Sequence, residues 1–104
     1  MNMLTLIVKE YIAIVEALEE EHDINNDRIV IEREEFKEML ERYAFASFTY
    51  KTKVYKDLNF IVHDHDSYTL PYKDKELNKT VRKVIINHKA YRTIKRLYDA
   101  QVSL

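Results

Sequence analysis

Apolar side chains recur along residues 3–22 at spacings of four and three: Leu4, Val8, Tyr11, Val15, Leu18 and His22. Ile7, Ile12 and Ile14 widen this stripe, and the period predicts an amphipathic helix. Asp23-Ile24-Asn25-Asn26-Asp27 then reads as a turn. Arg28-Ile29-Val30-Ile31 is either a short β segment or the lead-in to the next helix. Glu32 to Ala46 places Phe36, Met39, Leu40 and Tyr43 on one side, which predicts a second helix.

From Ser47 the period changes to two. Phe48, Tyr50, Thr52 and Val54 alternate with Thr49, Lys51, Lys53 and Tyr55, the pattern of a strand with one wet face. A helix running through Ser47 to Tyr55 is the competing reading. Leu58 to Val62 reads as a second strand, His63-Asp64-His65-Asp66 as a turn, and Ser67 to Leu70 as a third strand. Residues 74–102 return to a helical period through Leu77, Val81, Val84, His88, Tyr91, Ile94, Tyr98 and Val102. Lys75, Lys79, Arg82, Lys89, Arg92 and Arg96 fall opposite that stripe. Asp74 and Glu76 at its beginning and Lys95 and Arg96 at its end suit a helix dipole. The expected fold is α+β: two N-terminal helices, a small antiparallel β-ribbon of two to three strands, and a long basic C-terminal helix packed on it.

A chain of 104 residues with 46% apolar content suits one domain, residues 1–104, with an ordered core. Absences narrow the chemistry. Without cysteine there are no disulfides and no thiolate metal sites, which fits the reducing cytoplasm. Without glycine there is no phosphate-cradling glycine loop, and turns fall to Asn, Asp, His and Lys. The single proline, Pro71, stands just before the C-terminal helical pattern. No apolar run is long enough for a bilayer, and the first residues do not follow the order of a signal peptide.

The net charge of −1 hides a segregation. Residues 1–46 carry 12 acidic and 5 basic side chains, a balance of −7. Residues 47–72 are neutral, and residues 73–104 carry 9 basic and 3 acidic side chains, a balance of +6. Such asymmetry suits an electrostatically guided contact. The two regions can face each other within one chain, meet between copies in a homodimer, or leave one patch open to a foreign partner. On the basic helix, Lys75, Lys79, Arg82, Lys83, Lys89, Arg92 and Arg96 surround Ile86 and Leu97, an arrangement like the centre of a protein interface. On the ribbon, Tyr50, Lys51, Lys53 and Tyr55 form a second candidate surface, because exposed tyrosines provide rigid amphipathic contact area. A basic helix also suits a phosphate backbone, although a pI near 6.4 is unlike that of a nucleic-acid domain.

Catalysis is not expected. His63 and His65 would share one face of a strand and are weak candidates for a metal, but a further ligand is not apparent. The His-Asp pair resembles the dyad of HD-type phosphohydrolases, yet the chain is far shorter than that fold and lacks its flanking helices, so the activity is not carried over. Glu34, Glu35, Glu38 and Glu41 read as a charged helix surface, and no activated nucleophile stands out. No cofactor is implied. The expectation is a non-catalytic protein-binding module, a regulator or inhibitor of a larger host protein or protein–nucleic acid complex, with no membrane association. A nucleic-acid-binding regulator is the alternative. In composition alone, the chain is similar to small accessory proteins of phages and mobile elements in AT-rich bacteria, some of which inhibit host enzymes or defence systems such as CRISPR nucleases.

Overall fold

The computed structural model describes residues 2–103; the side chains of Val102 and Ser103 are outside that description, so the place of Val102 in the C-terminal stripe is too. Helix α1 spans Met3–Glu21, β1 Arg28–Glu32, α2 Arg33–Glu41 and α3 Phe48–Asp57. Strands β2 (Ile61–Val62), β3 (Leu70–Asp74) and β4 (Lys79–Asn87) follow, and α4 spans His88–Ser103. The fold is α+β, with a small antiparallel sheet and a C-terminal helix.

All three shorter strands pair with β4. β1 runs along Lys83–Asn87 on one side. β2 pairs with Ile85 and Ile86 on the other, and β3 with Lys79–Lys83. Since Lys83 is opposite both Glu32 and Leu70, β3 continues the β2 side. Ile29, Ile31, Ile61, Val84 and Ile86 share one face of this sheet and join the core cluster. Ile7, Tyr11, Val15 and Leu18 from α1, Phe36 and Leu40 from α2, Tyr55 from α3 and Tyr91 from α4 enter the same cluster. Helices therefore cover one face of the sheet.

The long C-terminal helix expected over 74–102 is divided. Residues 74–87 form the end of β3, a turn and β4, and the helix begins only at His88. Thr80, Val81, Val84, Ile85 and Ile86 supply the β-branched content that favours a pleated strand, a preference that outweighs an apparent three-and-four spacing. The hairpin turn is built by Asp74, whose carboxylate accepts from the backbone N–H groups of Glu76 and Leu77, and by Asn78 at φ 51°. At the other end the Asn87 side chain accepts from Ala90 N at 3.1 Å, an N-cap that starts α4. Pro71 lies in β3, opposite Arg82, rather than ahead of a helix.

The strand expected from Ser47 is the helix α3. Ser47 caps it by accepting from Tyr50 N at 3.1 Å. Its inward stripe is Phe48, Lys51, Thr52 and Tyr55, at helical spacing, but Lys51 reads as polar and conceals it. The neighbouring expectations shift in extent. The second helix ends at Glu41 rather than Ala46, the strand expected over 58–62 is confined to Ile61–Val62, and the third strand runs over 70–74 rather than 67–70. Without glycine, the left-handed turn positions fall to Asn26, Asp27, Asn59 and Asn78.

Lys51 is fully buried. Its ammonium donates to Glu10 Oε2 at 2.5 Å, to Leu40 O at 2.7 Å and to Tyr43 O, and it lies 4.1 Å from the centroid of the Phe45 ring. Tyr55 Oη donates to the other Glu10 oxygen at 2.8 Å. This network joins α1, α3 and the carbonyl end of α2, where a cation also suits the dipole. It satisfies carbonyls at and just beyond the end of α2. Burial raises the Glu10 carboxyl above its ordinary range, against the opposing effect of Lys51.

Removing one partner of a buried pair leaves the other without compensation, so Lys51→Met should destabilise the protein by roughly 3–5 kcal/mol in urea unfolding. Adding Glu10→Gln should recover part of that loss, since no unpaired charge then remains inside. A second expectation concerns acid. Asp27 is held below the carboxylate range by a hydrogen bond from Arg92, Asp64 by the N–H groups of Asp66 and Ser67, and Asp74 by those of Leu77 and Glu76. A carboxyl depressed in the folded state contributes stability above its unfolded pKa and loses it as pH falls through the folded value. The Tm should therefore drop as pH falls from about 5 toward 3, a window set by the unfolded Asp pKa near 3.9, and the drop should be shallower in Asp64→Ala with Asp74→Ala.

Candidate protein-binding face

The period of two in a strand sends alternate residues to opposite faces. Opposite the core face, β1 presents Arg28, Val30 and Glu32, β4 presents Lys79, Val81, Lys83, Ile85 and Asn87, and β2 and β3 add Val62, Leu70, Tyr72 and Asp74. Ile85 is only 7% exposed yet lies outside the core cluster, and Val30, Val62 and Val81 are also absent from it. These side chains shield one another on the sheet face that the helices leave open. Tyr72 stands out from it, 40% exposed, with the Lys83 ammonium 5.4 Å from its ring centroid.

The α1–β1 turn rises beside this face and encloses a groove of about 440 Å³. Val30, Ile85 and Tyr72 line it with Arg28 and the polar side chains of Asp23 and Asn25. Lys83 stands in the middle of the face, on the central strand between Glu32 and Leu70, held by Glu32 at 2.6 Å and Asp74 at 3.7 Å, and these carboxylates raise the lysine above its ordinary range. The face thus carries two apolar rows, Val30–Ile85–Val62 and Val81–Tyr72, with the Glu32–Lys83 ion pair between them and one projecting aromatic ring.

The expected basic face does not assemble as one surface. Lys75 lies in the β3–β4 turn, Lys79, Arg82, Lys83 and Ile86 lie on β4, and only Lys89, Arg92, Arg96 and Leu97 lie on α4. On β4 the pleat separates Arg82 and Ile86 from Lys79 and Lys83. Ile86 is fully buried in the core. Several cations are met by the chain's own acids: Arg82 by Asp64 at 3.7 Å, Arg92 by Asp27 at 2.7 Å, and Lys95 by Glu16 at 3.4 Å. Glu19 lies 3.3 Å from His88 Nε2, and Tyr91 Oη donates to Glu16 at 3.0 Å. Much of the charge segregation is thus intramolecular, with the acidic end of α1 against α4. Lys75, Lys79, Lys89 and Arg96 make no direct ion pair among the described residues, but they are spread over a turn, a strand and a helix.

The second candidate surface also divides. Tyr50 and Lys53 are exposed on α3, whereas Lys51 and Tyr55 are sealed in the core and available to no partner. The helical turn, rather than a pleat, puts these pairs on different sides. His63 Nδ1 lies 2.8 Å from Asp64 O, while the Asp64 carboxylate folds the turn by accepting from Asp66 N and Ser67 N. Neither His63 nor His65 joins a group of three metal-ligating side chains among the described residues. Val81 and Ile85 were missed as surface residues because a helical reading of 74–87 scattered them, and Val30 and Tyr72 join them only through pairing of β1 and β3 with β4. Alternation of Val81, Lys83 and Ile85 against Val84 and Ile86 is the signal that could have found them.

No protein-family model matches this chain, and no curated protein matches it significantly.

The two sheet faces should differ in mutational cost. Tyr72→Ala should change unfolding free energy by less than about 1 kcal/mol, as an exposed substitution does, whereas Ile86→Ala should cost about 2–5 kcal/mol. Chemical denaturation of both variants measures the difference.

Proposed function

We propose that the chain is a non-catalytic protein-binding module, a small regulator or inhibitor of a larger protein, and that it docks through the open face of its sheet. The observation that carries this reading is the sheet face opposite the helices, where the apolar rows Val30–Ile85–Val62 and Val81–Tyr72 flank Lys83, Tyr72 is 40% exposed and a groove lies alongside. Contact energy at interfaces is concentrated in a few such anchors within a polar margin. Arg28 and Lys79, together with Asp23 at the groove, would orient the partner by charge. The basic C-terminal helix is less suited to the role, since Asp27 and Glu16 engage two of its cations. A nucleic-acid role is weakened for the same reason. A cytoplasmic setting belongs to this reading because cysteine is absent; no helix among the described residues is long and apolar enough to cross a membrane.

Affinity capture from the encoding organism, with the wild-type chain compared with Tyr72→Ala and Val81→Glu, tests the proposal. A single partner protein retained by the wild type and lost from both variants, with circular dichroism unchanged, is the expected result. A partner held equally by all three rejects this face. Salt-sensitive binding to a DNA fragment, abolished by replacing Lys79 and Lys89, would instead establish the nucleic-acid reading.

A further inference from the structure

Between the end of α1 and the outer side of α2 lies a second cleft, of about 480 Å³, lined by Glu21, His22, Glu35, Glu38 and Arg42 among others. Helix α1 ends at Glu21, and His22 leaves it in an extended conformation while its N–H still bonds to Leu18 O. That exit brings the imidazole against α2, with Nε2 3.0 Å from Glu35 Oε1. One ligand atom from each of Glu21, His22 and Glu35 lies within 4.8 Å of the others. Glu38, one helical turn beyond Glu35, lines the same cleft with a further carboxylate.

We infer that this cleft binds a divalent transition-metal ion of the Zn²⁺ class through His22, Glu35 and Glu21. Donors at about 2.0–2.2 Å from a tetrahedral Zn²⁺ stand roughly 3.3–3.6 Å apart. The His22–Glu35 pair is already close to that separation, and Glu21, exposed at the helix end, needs only a side-chain adjustment of about an ångström to complete it. The volume leaves room for water at the remaining positions. Around the cleft the carboxylates Glu21, Glu35 and Glu38 outnumber the one guanidinium, Arg42. The last turn of α1 holds no basic residue, and its carbonyl end points negative partial charge in the same direction as Glu21. An imidazole among carboxylates selects Zn²⁺ or a neighbouring transition metal over Ca²⁺ and Mg²⁺, which prefer oxygen alone.

The ion would have a structural consequence as well. His22 borders both this cleft and the groove on the open sheet face. A metal holding His22 to α2 would fix the turn that forms the wall of the groove. The site itself does not depend on the docking proposal, and its test needs no partner.

Chelator-stripped protein titrated with Zn²⁺ by calorimetry tests the assignment, with His22→Gln, Glu35→Gln and His63→Ala as variants and circular dichroism confirming their fold. One equivalent of Zn²⁺ per chain is expected. Affinity should fall by at least about tenfold in the His22 and Glu35 variants, since disturbing even an outer partner of a metal ligand has that effect. The His63 variant should bind as the wild type does. Absence of stoichiometric binding overturns the inference, as does binding that survives His22→Gln or disappears in His63→Ala. Displacement of Zn²⁺ by Ca²⁺ at comparable concentration overturns the assignment to imidazole chemistry.

Discussion

An ammonium group sealed from water must have every one of its protons accepted, and Lys51 meets that requirement with three acceptors from outside its own helix. Glu10 fixes it to α1, while Leu40 O and Tyr43 O fix it to the end of α2. Any displacement of one segment leaves a buried charge or carbonyl without a partner, which costs far more than a displaced methylene. Tyr55 extends the same constraint by donating to the second Glu10 oxygen. The helical layer is thereby located by polar geometry, with the apolar cluster filling the space around it.

β4 imposes the complementary constraint on the sheet. It is the shared partner of β1, β2 and β3, so the register of every strand is referred to one nine-residue segment. Tyr11 ties the two layers where β4 ends. Its hydroxyl donates to Asn87 O, and its ring stacks on Phe60 at 3.8 Å between centroids. Asn87 meanwhile caps α4 and donates to Asn59 O at 2.8 Å. The strand-to-helix junction is therefore held from three directions, and α4 leaves it directed toward the acidic end of α1.

That direction explains what became of the charge asymmetry. The acids of α1 and the bases of α4 are separated by most of the chain, yet Glu16 and Glu19 meet Tyr91, Lys95 and His88. Side chains used in this way no longer attract a partner. What remains uncovered is a sheet face whose apolar residues are too few to bury each other fully and whose edges carry both signs of charge. Because helices account for only one side of a four-stranded sheet, the other side is defined by what it lacks.

Local pattern alone determined the α+β class, the first helix, the Asp64 turn and the use of Asn and Asp where glycine would ordinarily stand, because each depends on neighbours within a few residues. The Asn87 cap was equally local, but a continuous three-and-four spacing concealed it. The strand at 79–87 had a local signal in its β-branched alternation and in the hairpin with β3, but its pairing with β1 and β2, distant in the sequence, was decided only by the tertiary structure. The same holds for α3, whose inward stripe includes a lysine that is apolar in position and ionic in chemistry. His22 and Glu35, thirteen residues apart on separate elements, approach each other only because α1 and α2 pack against one core. Periodicity records which side of a segment is greasy; it carries no information about which distant group will satisfy a buried charge.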